Sequence, residues 1–164
     1  MDTQRLLTLA RLIDELDVVE GRTRLQKVVH LLGERFPKPF RHRFARHYFG
    51  PFSRELAAEI DFLVAARVLN EHTPAESVDG HFRYTIADEE TRRRVVSVTG
   101  HEAPDWVDSA RRLNGEDKST LEALSTFVFL RRRLAPEAAL LRREFERVKP
   151  HSGRQIRSRR EARA

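Results

Sequence analysis

The residues of this sequence whose types and spacing could do chemistry are its arginines. Arg22, Arg24 and Lys27 precede Arg41, Arg43 and Arg46, and the run is interleaved with Phe36, Phe40 and Phe44. Side chains of this kind neutralise phosphates and release condensed counterions, which gives affinity for nucleic acid without reading its sequence. Arg54 continues the series. At the far end, Arg154, Arg157, Arg159, Arg160 and Arg163 form an arm of the same character. Arg131, Arg132, Arg133, Arg142 and Arg143 carry that charge back into a helical region. The same pattern also fits a plain solvated rim around buried phenylalanines.

Charge is distributed unevenly. The net formal charge is +6 over 164 residues, but residues 22–47 carry +7 and residues 131–164 carry +8. Residues 1–21 carry −3 and residues 48–130 carry −6. An acidic body thus bears two basic zones, and each calls for an acidic partner.

Other chemistries find little support. With no cysteine, disulfides, thiolate metal sites and cysteine nucleophiles are excluded. The seven histidines show no metal-ligand spacing: His42 and His47 lie five apart, and His72 and His81 fall across a loop. Ser53, in Gly-Pro-Phe-Ser, lacks the spacing of a nucleophile elbow. Neither a phosphate loop, nor a dinucleotide fingerprint, nor a carboxylate dyad is present. Asp88-Glu89-Glu90 reads as a helix start favoured by the macrodipole. The expectation is therefore no catalytic residue, no metal, no cofactor and no enzyme. No stretch approaches the roughly 20 apolar residues of a membrane span, and the N-terminus lacks a signal peptide's apolar core. A cytoplasmic protein is expected.

The elements that must position the arginines follow from periodicity. Leu6, Leu9, Ala10, Ile13 and Leu16 mark a helix over 3–17, with Arg5 and Arg11 off its stripe. Residues 18–21 read as a connection. Thr23 and Gln26 have capping-box spacing for a second helix, weakened by Gly33 and ended by Pro37 and Pro39. A strand is expected near 43–49, a turn at Gly50-Pro51, and a third helix capped by Ser53 with a core stripe of Leu56, Ile60, Leu63 and Val64. Val68-Leu69 and Phe82–Ile86 flank a polar loop, and a short helix follows from Asp88. Pro104 opens another helix, with Trp106 as a core or docking residue. Ser119 and Glu122 suggest a cap for a helix with Leu121, Leu124, Phe127 and Val128 inside, and Pro136 starts a last one.

The expected fold is mainly α with a small β-hairpin: a winged helix-turn-helix-like module over 3–98, a helical extension over 101–150 and a basic disordered tail over 151–164. An irregular α+β domain is the competing architecture. In a standard helix-turn-helix the third helix would enter the major groove. Here its outward positions include Arg54, Glu55, Ala58, Glu59 and Asp61, a net acidic set that would repel phosphates. Glu71, Glu76 and Asp79 repeat the difficulty in the wing.

Two functions follow. One is a nucleic-acid-associated regulator, DNA-binding through segment 22–47 and the tail, with the extension supporting a homodimer or a partner. The other is an antitoxin-like or defence-associated protein-binding adaptor, whose acidic third helix, through Glu55, Glu59 and Asp61, and wing dock a basic protein. Neither involves a membrane.

Two blocks also resemble a known family. Gly21-Arg-Thr-Arg-Leu-Gln-Lys-Val-Val-His-Leu-Leu32, followed by His47-Tyr-Phe-Gly-Pro-Phe-Ser-Arg-Glu-Leu56, is similar to the YwgA-like family of uncharacterised bacterial and archaeal proteins. More distantly the pair resembles the Panacea domain of SocA-type antitoxins. Phe49 stands where those families usually have Tyr. The resemblance covers about residues 5–90 and, more loosely, Phe145–Pro150. It implies a winged-helix fold and brings no established activity.

Overall fold

Asp2 starts the first helix, α1 (Thr3–Leu16), by accepting the Gln4 N–H at 2.9 Å. The structure, a computed structural model, describes residues 2–48, 50–73, 82–134, 143–145 and 147. Leu9, Ala10, Ile13 and Leu16 are buried as their spacing requires, and Leu12 joins them. Arg11 is buried too, contrary to its polar type. It donates to Glu15, to Thr99 Oγ1 and to the Gly100 carbonyl, so its charge is fully occupied.

Residues 19–20 form a short strand, β1 (Val19–Glu20), rather than a bare connection. The second helix, α2 (Arg22–Arg35), begins at an N-cap Gly21 with φ +94°, and Thr23 makes no capping bond. Gln26 has a different partner. Its amide donates to the Ser53 carbonyl at 2.9 Å and accepts the Ser53 N–H at 2.8 Å. It thereby fixes the start of the third helix on the flank of the second. Gly33 permits close approach: a Cβ there would lie 2.7 Å from the Phe40 carbonyl oxygen.

The expected strand near 43–49 is β2 (Ala45–His47), but residues 50–51 are not simply a turn. They belong to β3 (Gly50–Phe52), antiparallel to β2 with Ala45 opposite Phe52. Ser53 then caps α3 (Arg54–Ala65) through Oγ to the Leu56 N–H, and Leu56, Ile60 and Leu63 are buried. Strands β4 (Leu69–His72) and β5 (Arg83–Ile86) pair antiparallel, and β1 adds to the far edge of β5. The expected loop over 73–80 lies almost entirely outside the described residues.

Helix α4 (Glu89–Thr99) is capped by Asp88, which accepts the Thr91 N–H at 2.7 Å. Helix α5 (Val107–Asn114) starts three residues after Pro104, with Trp106 at its N-cap. Helix α6 (Lys118–Leu134) is capped by Asp117, which accepts the Thr120 N–H, and not by Ser119. Its buried face differs from the expected one. Leu121, Ala123, Ser125, Thr126, Phe129 and Leu130 are inside, while Leu124 and Phe127 are 41% and 37% exposed. The expected last helix falls mostly outside the described residues. So does the tail with Arg154, Arg157, Arg159, Arg160 and Arg163.

The fold is mainly helical with two small antiparallel sheets. The larger buried cluster among the described residues joins the two halves: Leu9, Ile13, Val28, Leu32, Leu56, Leu69 and Tyr84 share it with Trp106, Val107, Ala110 and Leu121 of the C-terminal half. Each fully buried Leu contributes about 1.5–3 kcal/mol. Trp106 meets Phe40 edge-on at 5.4 Å. No helix among the described residues is long and apolar enough to cross a membrane.

Candidate nucleic-acid interface

Between α2 and α3 the chain runs extended, and extended backbone points successive side chains to opposite sides. His42 and Phe44 turn towards the protein, while Arg41, Arg43, Ala45 and Arg46 are exposed. Arg41 and Arg43 therefore share the solvent side of this segment, and Arg46 is exposed because every residue of β2 is exposed. They line a cleft of about 710 Å³ together with Arg5, His47, Phe52 and Arg54. Asp2 and Glu55 complete its wall. Arg54 opens α3, so the partial positive charge of that helix end adds to the arginines.

Arg41, Arg43, Arg46 and Arg54, all expected phosphate contacts, meet in this cleft, and Glu55 of the expected protein-docking set stands beside them. Arg5, His47 and Phe52 join them without a signal in the linear sequence. Arg5 lies 54 positions from its partner Glu59, and no linear spacing signals that meeting.

Other expected contacts lie elsewhere. Lys27 is buried at 2% exposure and donates to the Pro51 carbonyl at 2.7 Å, so it cannot meet a phosphate. Arg24 is half-buried and donates to the carbonyls of Asn114 and Glu116 at 2.6 and 2.7 Å. It satisfies carbonyls that the C-terminus of α5 leaves open. Arg22 lies away from the cleft, paired with Asp61 at 3.2 Å and Glu71 at 2.8 Å, over the Phe82 ring.

The acidic face expected on α3 is largely neutralised from within. Glu59 is not outward at all; its side chain is 2% exposed. Its Oε1 accepts from Arg5 Nη2 at 2.6 Å and its Oε2 accepts from His42 Nε2 at 2.7 Å. Glu55 pairs with Arg5 at 2.9 Å and accepts weakly from the Arg43 N–H at 3.4 Å. Partial burial raises the Glu55 pKa, but the Arg43 N–H and the Arg5 guanidinium outweigh it and hold the carboxyl below its usual range. Asp61 is half-exposed against Arg22. Arg41 has a long pair with Asp2 at 3.8 Å. Arg43, Arg46 and Arg54 have no carboxylate partner for their guanidinium groups among the described residues.

A second cleft of about 680 Å³ lies on the other side of the same segment, between Phe40, Phe44 and Phe129. Its floor holds His30, whose Nδ1 is 3.0 Å from Ser125 Oγ. Burial pushes His30 down to about 4, a shift that Glu34 opposes and that Lys27 and Arg132 reinforce. Ser125 is fully buried, which keeps its hydroxyl from any substrate and makes the pair a packing contact between α2 and α6.

Comparison with known proteins gives one family-level indication. The chain is similar to the uncharacterized protein YwgA of Bacillus subtilis (strain 168), with 28% identity over 109 residues. That match covers 66% of this chain and 64% of the relative, so the chain spans just under two thirds of that protein's length. No family model matches. The likeness supports a YwgA-like family of uncharacterised proteins, in keeping with the motifs at 21–32 and 47–56.

Proposed function

We propose that the chain is a nucleic-acid-associated regulatory protein built on a winged helix, and that it grips phosphates through the cleft beside α3. The order α1-β1-α2-α3-β4-β5, with β1 added to the β4–β5 hairpin, supports the winged-helix reading, in which β2–β3 is an insertion between the second and third helices. The observation that carries the function is the sorting of charge around α3. Its acids are held by Arg5, His42 and Arg22, whereas Arg43, Arg46 and Arg54 are exposed together on one cleft. The repulsion anticipated from an acidic reading helix is thereby weakened where a backbone would lie.

Phosphate contact of this kind positions a nucleic acid without specifying its sequence. The C-terminal arginines would add a second, sequence-independent contact. An adaptor that docks a basic protein through Glu55, Glu59 and Asp61 has less to use. Glu59 is inaccessible, and the other two already hold arginines. The test is a salt titration of nucleic-acid binding with cleft arginines removed in pairs.

A further inference from the structure

We infer that the occupant of the cleft is an unpaired strand, whose bases stack on an aromatic ladder rising from the cleft to the tip of the β2–β3 hairpin. This rests on the phosphate-binding reading above and names the kind of nucleic acid it takes. The ladder has three rings. Phe52, in β3, lies against His47 at 5.2 Å between centroids and 35° between planes. The His47 ring in turn meets the Tyr48 ring edge-on at 5.6 Å. Tyr48 is 90% exposed, the largest exposure of any large apolar side chain among the described residues.

A tyrosine held in water forgoes the burial that draws aromatic rings into cores, and the hairpin pairing of His47 with Gly50 holds this one at the tip. Arg46 precedes the ladder in sequence, and Arg43 and Arg54 share the cleft wall with His47 and Phe52. Cationic groups tracking a backbone beside exposed rings are the two parts of a single-strand site, because every base has a π face to offer. A duplex keeps those faces inside its own stack. It can use the arginines and not the rings.

The experiment measures fluorescence anisotropy of the full chain at low salt with three labelled probes of equal length: oligothymidylate, a strand of abasic residues, and a mixed-sequence duplex. Oligothymidylate should bind on the order of ten-fold more tightly than the abasic strand. Tyr48→Ala should remove that preference while leaving affinity for the abasic strand unchanged, and Tyr48→Phe should keep it. Equal binding of the two single strands overturns the inference, as does a Tyr48→Ala loss shared by all three probes. Tighter binding of the duplex also overturns it but leaves the phosphate-binding reading standing. Absence of binding to every probe overturns both.

Discussion

Arg5 and Glu59 meet at 2.6 Å, bringing a cation from the first turn of α1 onto a carboxylate buried beneath α3. The second Glu59 oxygen holds His42 at 2.7 Å, so one side chain ties α1, the arginine segment and α3 together. The arginine segment is exposed, and what fixes its course is this buried bond at its centre. Orientation of the cleft arginines thus depends on a residue that is buried and does not line the cleft.

Glu59→Gln should therefore cost about 3 kcal/mol of stability, because it leaves Arg5 and His42 short of a buried charge partner. For a chain of this size that is a fall of roughly 6–12 °C in Tm. Thermal and urea unfolding would read it. An unchanged Tm would mean that Glu59 is solvated and outward, as a surface acid would be.

His30 gives a pH dependence with a definite sign. Its folded pKa of about 4 lies below the ordinary histidine value, so between that value and about 4 the unfolded chain binds the extra proton. Stability from this group is fully present above about 6.5 and falls as pH drops towards 4, by about 3 kcal/mol in all. Glu55, with its depressed pKa, acts lower: its contribution is present above the unfolded carboxylate pKa and lost as pH falls through its folded value. Urea unfolding at pH 7 and pH 5 should show the His30 part. His30→Gln should flatten the slope in that window.

A helical Gly33→Ala substitution ordinarily gains about 1 kcal/mol from propensity. Here the sign should reverse, with a loss of about 1–3 kcal/mol. The new Cβ would sit 2.7 Å from the Phe40 carbonyl oxygen, a backbone atom that cannot swing away. Gly50→Ala should be harmful for two reasons: φ is +87°, and the Cβ would lie 2.6 Å from Thr126 Oγ1 on α6. Equilibrium unfolding of both variants checks the prediction. A stabilised Gly33→Ala protein would show that the 36–40 turn does not press on α2.

The parts legible in the sequence were those governed by local rules. The α1 and α3 stripes and the Ser53 cap follow from spacing within about ten residues, and the β4–β5 pairing from two short apolar runs on either side of one polar loop. What was not legible depends on partners far along the chain. Arg11, Lys27 and Glu59 are charged, so patterning places them outside; partners brought up by the fold, among them Gly100, Pro51, Arg5 and His42, let them lie inside. The phase of α6 shifted for a related reason. Thr126 is small enough to face Gly50, so the helix turns that face inward and leaves Leu124 and Phe127 at the surface. In the candidate site, the arginines of the extended segment were visible as a charge run. Arg5 and the His47–Phe52 stack were not, because their neighbours come from other elements.

The most direct test of phosphate binding in this cleft is the salt dependence of nucleic-acid affinity, compared between the native chain and Arg43→Ala/Arg46→Ala. Both side chains are exposed, so the variant should fold normally. The log of the affinity should fall linearly with log salt, and the double variant should flatten that slope by roughly 1.4 on a single strand or 1.8 on duplex DNA, two phosphate contacts' worth. An absence of binding at low salt, or an unchanged slope in the double variant, would contradict the account.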